Sequence, residues 1–239
     1  MGEYCYTNNN KFEGDWLSGQ CSNYGILTYH NGNIHEGNFK DNYKDGAGTF
    51  YDKANNSKFE GKWVMGRQEG YGVYYNCETK RISYKGYLVN GIKHGDGIEF
   101  YDTGHYYEGS FVKNLRHGRG KLYDNTGFPK YEGQWKNGKR NGFGTEKIKG
   151  YRGYVFVGTF SEGVKEGKGE EVFSNGDVYI GWYKNGKKNG KGCLKLKEKN
   201  EAVLSGHWKD GQMTGEGILY DRNGKIIKMI SKKPKKSIR

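Results

Sequence analysis

A glycine recurs along the chain at intervals of 23 to 25 residues, and this spacing leaves room for little except short hairpins. In the clearest copy, Gly133 stands midway between Tyr131 and Trp135. Residues at i, i+2 and i+4 of an extended strand share one face, so the two rings and the glycine form a stripe. A Lys-Asn-Gly turn follows, and the chain resumes at Gly142-Phe143-Gly144. The pattern predicts a hairpin of about 24 residues, repeated along the chain.

The same frame occurs nine times. Each repeat has an apolar residue two positions after its glycine, and eight of the nine add a Gly-Xaa-Gly further on. Two positions before the glycine the residue is apolar in all repeats but one, where His35 stands and the neighbouring Ile34 offers an apolar contact instead. The first repeat has Asn23-Tyr24-Gly25 in place of Gly-Xaa-Gly. The nine glycines are Gly14, Gly37, Gly61, Gly86, Gly109, Gly133, Gly158, Gly181 and Gly206.

Composition favours strands and turns over an ordinary globule. Only 33% of the 239 residues are hydrophobic, whereas there are 41 glycines, 21 tyrosines and 2 prolines. The glycines follow no Gly-X-Y period, which excludes collagen, and aromatic residues at 15% are too frequent for a disordered chain. A chain rich in glycine and tyrosine and poor in proline fits many short strands joined by tight turns.

These features predict a fold. Glycine weakens a strand, so a recurring glycine implies close approach of another group. We expect it to leave room for an aromatic ring of a neighbouring repeat to lie on the backbone. Single hairpins are unstable, but stacked ones sum their contacts. The sequence therefore predicts an all-β protein, an elongated, twisted, single-layer antiparallel sheet of about nine stacked β-hairpin repeats. We expect one domain over residues 3–230 and a basic C-terminal tail at 231–239.

The formal charge of +13 is uneven: residues 228–239 carry six bases and no acid, and the other 227 residues carry the remaining +7. The tail fits four interpretations: a solvated segment, attraction to anionic lipid, contact with an acidic protein surface, or a nuclear-import signal. Nucleic-acid binding is not expected, because aromatic residues do not alternate with these bases. The candidate contacts for an acidic partner or lipid are Lys187, Lys188, Lys191, Lys232, Lys233, Lys235 and Lys236.

Four scattered cysteines form no CxxC pair, no apolar run approaches the roughly 20 residues of a membrane span, and no signal-peptide core precedes the repeats. We expect a reduced, cytoplasmic protein.

We find no pattern typical of a catalytic, cofactor or metal site. No Gly-Lys pair is followed by Ser or Thr, as a phosphate-binding loop requires. His94 and His117 fill a position before Gly-Xaa-Gly that holds Asp45, Glu69 or Asn141 elsewhere, which indicates a turn position. The Glu before many of the recurring glycines repeats with the fold, so we interpret it as a solvent-side residue facing Lys or Arg. The sequence predicts a protein that is not an enzyme.

A single-layer sheet cannot bury both faces, and exposed apolar residues mark interaction sites. Five aromatic residues lie in the second strand of their hairpins, and we expect them on the face opposite the stripe of rings. The candidate partner-docking residues are Tyr51, Tyr75, Phe100, Tyr123 and Tyr220.

The segments Tyr131–Gly144, Tyr107–Gly120 and Phe59–Gly72 resemble MORN (membrane occupation and recognition nexus) repeats, and the resemblance extends over nearly the whole chain. It implies an elongated antiparallel array that acts as a scaffold, as in cytoskeletal, ciliary-axonemal and membrane-junction proteins. It therefore suggests a non-enzymatic protein-interaction scaffold in a cytoskeletal assembly, foremost the ciliary axoneme. The alternatives are a peripheral membrane adaptor that binds acidic phosphoinositides and an accessory subunit of an enzyme.

Overall fold

The computed structural model describes residues 2–199 and 202–230, and within them all regular structure is β. No helix in this part of the chain is long and apolar enough to cross a membrane. The strands are β1 (Gly2–Cys5), β2 (Lys11–Leu17), β3 (Gln20–Thr28), β4 (Ile34–Lys40), β5 (Tyr43–Asp52), β6 (Ser57–Val64), β7 (Arg67–Asn76), β8 (Ile82–Val89), β9 (Ile92–Phe100), β10 (Tyr106–Val112), β11 (Leu115–Tyr123), β12 (Pro129–Lys136), β13 (Lys139–Ile148), β14 (Tyr154–Ser161), β15 (Val164–Phe173), β16 (Val178–Lys184), β17 (Lys187–Leu196), β18 (Ala202–Lys209), β19 (Gln212–Tyr220) and β20 (Ile226–Ile230).

The described residues divide into two units, 2–118 with 124–127, and 119–123 with 128–199 and 202–230. In the first unit, each strand from β1 to β10 pairs antiparallel with the next. In the second, each strand from β12 to β20 does the same. The predicted all-β class of stacked antiparallel hairpins is confirmed. The single domain over 3–230 stays a prediction, and the basic tail at 231–239 lies outside the described residues.

Two-residue turns close the hairpins within the repeats. Met65 and Gly66 join β6 to β7 with φ of 47° and 81°, and Asn185 and Gly186 join β16 to β17 with 50° and 78°. Two successive positive φ values characterise the type I′ turn, whose twist matches that of paired strands. Asp45, at the position that His94 and His117 also occupy, accepts a hydrogen bond from the backbone N–H of Met65 at 3.1 Å. The prediction of a turn position was wrong, because Asp45, His94 and His117 lie within β5, β9 and β11, and Asp45 instead binds the turn of the next hairpin.

The recurring glycines of neighbouring strands are paired directly with one another. In the second unit the line runs through Gly133, Gly144, Gly158, Gly169, Gly181, Gly192, Gly206 and Gly217. In the first it runs from Gly2 through Gly14, Gly25, Gly37, Gly48, Gly61, Gly72, Gly86 and Gly97 to Gly109. Each unit therefore carries a strip of bare backbone across its strands.

The ring of Tyr131 lies over two glycines of its own hairpin. A Cβ atom on Gly133 would lie 2.6 Å from the Tyr131 hydroxyl oxygen, and one on Gly144 would also meet this ring. Our expectation that the ring comes from a neighbouring repeat was wrong for this pair. The side chain at i leans along its strand towards the same-face position at i+2, so the hairpin covers its own glycines.

The first glycine of each Gly-Xaa-Gly has a different role. Gly142 has a φ of 82°, beside a register shift at which β13 carries extra residues opposite β12. Such a bulge needs a residue in the left-handed region, which glycine adopts without a Cβ penalty. In the first repeat, Asn23 takes this conformation with a φ of 54°, so the bulge persists although the glycine is absent.

Aromatic rings fill the face that lies over these glycines, which we call the covered face. Tyr131 meets Trp135 of its own strand and Phe160 of the next repeat, both with centroids 5.2 Å apart and rings nearly perpendicular. The pattern continues through Phe156, which contacts Phe160 at 5.3 Å and Tyr183 at 4.9 Å. Edge-to-face pairs contribute about 0.5–1.5 kcal/mol each beyond the burial of area. The rings therefore join each hairpin to its neighbour.

His35 occupies the ring position of the second repeat and is 0% exposed. It packs edge-to-face on Phe39 at 5.3 Å and on Trp63 at 4.8 Å. Ile34, which seemed able to replace it, is its neighbour in an extended strand and so points to the opposite face. That alternative was wrong, because the register that pairs Phe50 with His35 puts the imidazole among the rings. Neither ring nitrogen has a hydrogen-bond partner among the described residues.

We expect His35→Phe to raise the free energy of unfolding at pH 7 by roughly 1–2 kcal/mol, because it removes two unpaired buried nitrogens. Burial, with a contribution from the Lys44 ammonium, lowers the pKa of His35 from 6.5 to about 3. Between these values the unfolded chain binds a proton that the folded chain does not, so stability is complete above pH 6.5 and falls as the pH drops towards 3. The loss reaches roughly 2–3 kcal/mol at pH 4.5.

Urea denaturation between pH 4 and 8 would measure this. His35→Phe should flatten the acid side of the stability curve, whereas replacement of the exposed His30 by Gln should leave it unchanged. Equal acid sensitivity of the His35→Phe protein and the parent protein would contradict the assignment.

Candidate functional site

The face opposite the rings, which we call the open face, carries the side chains on either side of each recurring glycine. In β14 and β16 these are Val157, Ile180 and Trp182, next to Gly158 and Gly181. Ile180 is 57% exposed and Trp182 is 46% exposed. Because successive residues of a strand point to opposite faces, the glycine positions themselves face the rings. On the open face the large residues therefore stand on both sides of a strip of backbone.

A groove of about 900 Å³ runs over this strip in the second unit. Phe143, which lies between Gly142 and Gly144, stands in the groove with 58% of its surface exposed. Cys193, Ser205 and Ile218 line the groove from later strands. The lining is mainly apolar, and a contiguous exposed apolar surface of this kind is typical of an interaction site.

Charged side chains stand around the apolar lining. Lys168 lies opposite Trp182 in the strand pairing, and its ammonium is 5.3 Å from the centre of the indole ring. Lys191 and His207 lie opposite each other in the next pair of strands, and Glu216 is also part of the lining. The two lysines make the rim more basic than acidic, so the groove suits apolar side chains accompanied by carboxylates.

The open face of the first unit is more polar at the positions before the recurring glycines. Glu60 accepts a hydrogen bond from Lys58 at 2.7 Å, and Glu13 lies 3.1 Å from the ammonium of Lys11. In the second unit Lys121 is 3.1 Å from Glu132 in the same way. The prediction that these glutamates face bases on the solvent side is confirmed by these pairs. Exposed pairs of this type contribute little to stability.

Three of the five predicted docking residues lie in the first unit. Tyr51 is exposed and lies opposite Ile34 in the strand pairing. Tyr75 is half-buried and donates a hydrogen bond from its hydroxyl to Glu60 at 3.0 Å. Phe100 is half-buried against the ring of Tyr106, with centroids 5.8 Å apart. Their pairing positions place them on the open face, but the groove does not include them, and their docking role stays a prediction.

The other two, Tyr123 and Tyr220, are half-buried residues of the second unit that do not line the groove. Among the predicted acidic-partner contacts, Lys187 is exposed beside the turn, and Lys191 lines the groove. Lys188 instead lies on the covered face, where its ammonium is 3.2 Å from Glu171 and 4.6 Å from the ring of Tyr179. The remaining predicted contacts lie outside the described residues and are Lys232, Lys233, Lys235 and Lys236.

Phe143, Ile180 and Trp182 were not among the predicted site residues. The signal that could have identified them is loss of alternation: Val178–Lys184 has apolar residues at successive positions on both faces. At the position of Ile180, other repeats have Glu36, Glu60, Glu108 and Glu132. A search for apolar residues at positions that are charged in most repeats would have located the groove.

Comparison with known proteins places this architecture among repeat proteins. The MORN repeat family model matches nine segments, at 12–34, 35–56, 59–76, 84–106, 107–127, 131–149, 156–178, 179–198 and 205–226. Among curated proteins, alsin of Homo sapiens is 32% identical over 173 residues and alsin of Rattus norvegicus is 27% identical over the same length. Each alignment covers 70% of this chain but only 9% of alsin, so the chain spans less than a tenth of these relatives.

One solved structure, the SAS-4 (dCPAP) TCP domain in complex with a proline-rich motif of Ana2 (dSTIL) of Drosophila melanogaster, aligns over 97% of this chain and 89% of its own. The sequence identity is 13% and the TM-score is 0.23, which is too low to carry any inference. The nine matched segments, by contrast, follow the hairpins described above and extend over most of the sequence. The chain belongs to the MORN-repeat family.

Proposed function

We propose that this protein is a non-enzymatic interaction scaffold and that the groove of its second unit docks a segment of a partner protein. MORN repeats form a non-catalytic interaction module, which supports the general assignment. The segment we infer carries apolar side chains for the groove and acidic side chains for its rim. The observation that carries the proposal is the exposure of Phe143, Ile180 and Trp182 together on one face.

The physical basis is the burial of these three side chains. Fully burying a large apolar side chain stabilises a complex by roughly 1.5–3 kcal/mol, and aromatic anchors in a pocket dominate many interfaces. Lys168 and Lys191 would then face the partner's carboxylates, which favours one orientation of the segment over the other. The single-layer sheet thus uses its covered face for stability and its open face for binding.

We expect Ile180→Ser combined with Trp182→Ser to weaken partner binding about 30-fold or more, since two central anchors are lost. The partner is first identified by affinity capture and mass spectrometry with the full chain, and its affinity is then measured by titration calorimetry. Melting curves of the variant would show that the fold persists, because both side chains lie on the open face.

The first unit supplies a matched control. Tyr71 corresponds to Phe143 in its repeat, Tyr87 corresponds to Trp182, and both are about half exposed, at 53% and 54%. Tyr71→Ser with Tyr87→Ser should change the affinity less than threefold. Loss of binding in this control together with full binding by the groove variant would refute the assignment and direct attention to Tyr51 and Tyr75.

We also propose a cytoplasmic location in a cytoskeletal assembly, the ciliary axoneme foremost. The family resemblance is the support for this placement, by analogy alone. Detergent extraction of cells that express the tagged chain would test it. Retention with the axonemal or microtubule fraction is expected, and complete release with soluble proteins would contradict it. Stable co-purification with an enzyme would favour the alternative of an accessory subunit.

A second candidate function is a peripheral membrane adaptor that binds acidic phosphoinositides. The supporting observation is the pair of exposed lysines Lys184 and Lys187, which lie opposite each other beside one turn. Attraction to an anionic surface contributes about 1 kcal/mol per base and is screened by salt. Flotation with phosphoinositide-containing vesicles at low salt, lost at high salt and in a Lys184→Gln, Lys187→Gln variant, would favour this function over the scaffold.

A further inference from the structure

A basic residue near the start of the second strand of several hairpins lies among the rings of the covered face. Six residues later in the same strand, an acidic residue neutralises it. Lys93 pairs in this way with Glu99, and Arg140 pairs with Glu146. In a third hairpin Lys165 is 3.0 Å from Glu171. The bulge between the two positions shortens the distance along the strand, so the side chains meet.

Lys44 is the corresponding residue of the second repeat, and its hairpin has Phe50 where these three hairpins have glutamate. The ammonium of Lys44 lies 4.1 Å from the centre of the Trp63 ring, 5.1 Å from that of Phe50 and 5.8 Å from that of Tyr29. Three rings therefore surround the cation, as in an aromatic cage. Among the described residues, no carboxylate forms an ion pair with it.

Neighbouring hairpins do not supply the missing carboxylate. The preceding repeat has Leu27 at the acidic position, and the next has Tyr74. Lys188, by contrast, does pair with a carboxylate of a neighbouring hairpin. Its own hairpin has Leu194 at the acidic position, and its ammonium lies 3.2 Å from the carboxylate of Glu171 in the preceding hairpin. Lys44 has neither arrangement.

The surroundings of Lys44 contain a second unpaired polar group. His35, which packs on the same Trp63 ring, is fully buried, and neither of its nitrogens has a partner among the described residues. Burial lowers the pKa of Lys44 to about 8. A half-buried cation and a buried imidazole without polar partners are costly to the fold, and such groups call for an explanation.

We propose that Lys44 and the cage formed by Tyr29, Phe50 and Trp63 are a binding site for a carboxylate side chain, Asp or Glu, of a partner protein. The partner's carboxylate would lie on the outer side of the Lys44 ammonium. It would form with Lys44 the ion pair that Glu99 forms with Lys93 in the fourth repeat. Lys44 is half-buried as a residue and is not fully enclosed by the rings of the covered face. The aromatic rings around Lys44 lower the local dielectric constant, and this would make the ion pair between Lys44 and the carboxylate stronger than an ion pair on an exposed surface.

This site lies on the covered face of the first unit and does not depend on the groove or on the proposed function. The test uses the full chain and N-acetyl-glutamate amide, a probe that presents a single glutamate side chain. Nuclear magnetic resonance would follow the Cε–Hε signal of Lys44, assigned by its disappearance in Lys44→Gln, a change that reproduces the Gln68 of the next repeat. We expect a saturable shift with a Kd in the millimolar range at constant ionic strength.

Two variants and a second anion complete the test. Phe50→Glu provides the carboxylate within the hairpin, so binding of the probe should weaken at least tenfold while the variant melts no lower than the parent. The Lys93 signal should not shift, because Glu99 already occupies its ammonium. A non-saturable shift, an equal shift at Lys93, or tighter binding of inorganic phosphate than of the probe would each overturn the assignment of a carboxylate site.

Discussion

Gly133→Ala is expected to lower the free energy of unfolding by about 3 kcal/mol or more, which is a large fraction of the stability of a typical domain. A Cβ atom at this position would lie 2.5 Å from Cα of Gly144 and 2.7 Å from the carbonyl oxygen of Phe143. Both are backbone atoms of the paired strand and cannot move without loss of ladder hydrogen bonds. Tyr131 would also be displaced from its contacts with Trp135.

Urea denaturation followed by tryptophan fluorescence would measure the loss. Gly186→Ala is the matched control, because Gly186 has a φ of 78° and open space where a Cβ would stand. It should cost only about 1 kcal/mol, from the left-handed backbone conformation alone. If the two alanine variants are equally stable, packing of the ring on bare backbone is not what requires glycine at the paired positions.

Glu171→Leu should destabilise the protein by roughly 3–5 kcal/mol. Glu171 is 3.0 Å from Lys165 and 3.2 Å from Lys188, and it accepts a hydrogen bond from the hydroxyl of Tyr183 at 3.2 Å. The side chains of Lys165 and Glu171 are each only 9% exposed. Leucine fits the position sterically, since the next repeat has Leu194 there. The loss would therefore report Lys188, which has no other ion pair among the described residues, and Lys165, which keeps only Glu146 at 3.3 Å.

Thermal and urea unfolding of two further variants would separate the effect of charge from that of packing. Lys188→Met added to Glu171→Leu should recover at least half of the loss, because the ammonium left without an ion pair is removed together with its partner. Lys139→Met, which breaks the exposed pair between Lys139 and Glu162 at 2.7 Å, should leave the unfolding midpoint unchanged. No recovery in the double variant would mean that leucine at this position disturbs the ring packing itself.

The repeat frame and its strands could be predicted because they follow from local rules. Alternation of side chains along an extended strand places Tyr131, Gly133 and Trp135 on one face in any sheet. A two-residue turn such as Asn185-Gly186 requires residues that tolerate positive φ, and glycine and asparagine mark it in the sequence. These features depend on neighbours within a few residues and on nothing further along the chain.

Some features of the covered face needed the strand register. That Phe50 rather than a carboxylate stands beside Lys44, and that His35 lies among rings, depends on a bulge that changes which residues are opposed. The six-residue spacing from Lys93 to Glu99 can be read from the sequence. The ion pair between them could not be predicted from it, because residues six apart in a regular strand are too far apart to form an ion pair.

By itself, the sequence determined that this protein is a stack of antiparallel hairpins, where the turns lie and which residues supply the rings. The tertiary structure decided which face of each unit is covered, which ring lies on which glycine, and that Phe143, Ile180 and Trp182 come together as an exposed groove. The physical reason is distance along the chain. Hairpin geometry is set by adjacent residues, whereas a binding surface combines side chains from strands tens of residues apart, whose register is fixed only when the hairpins stack.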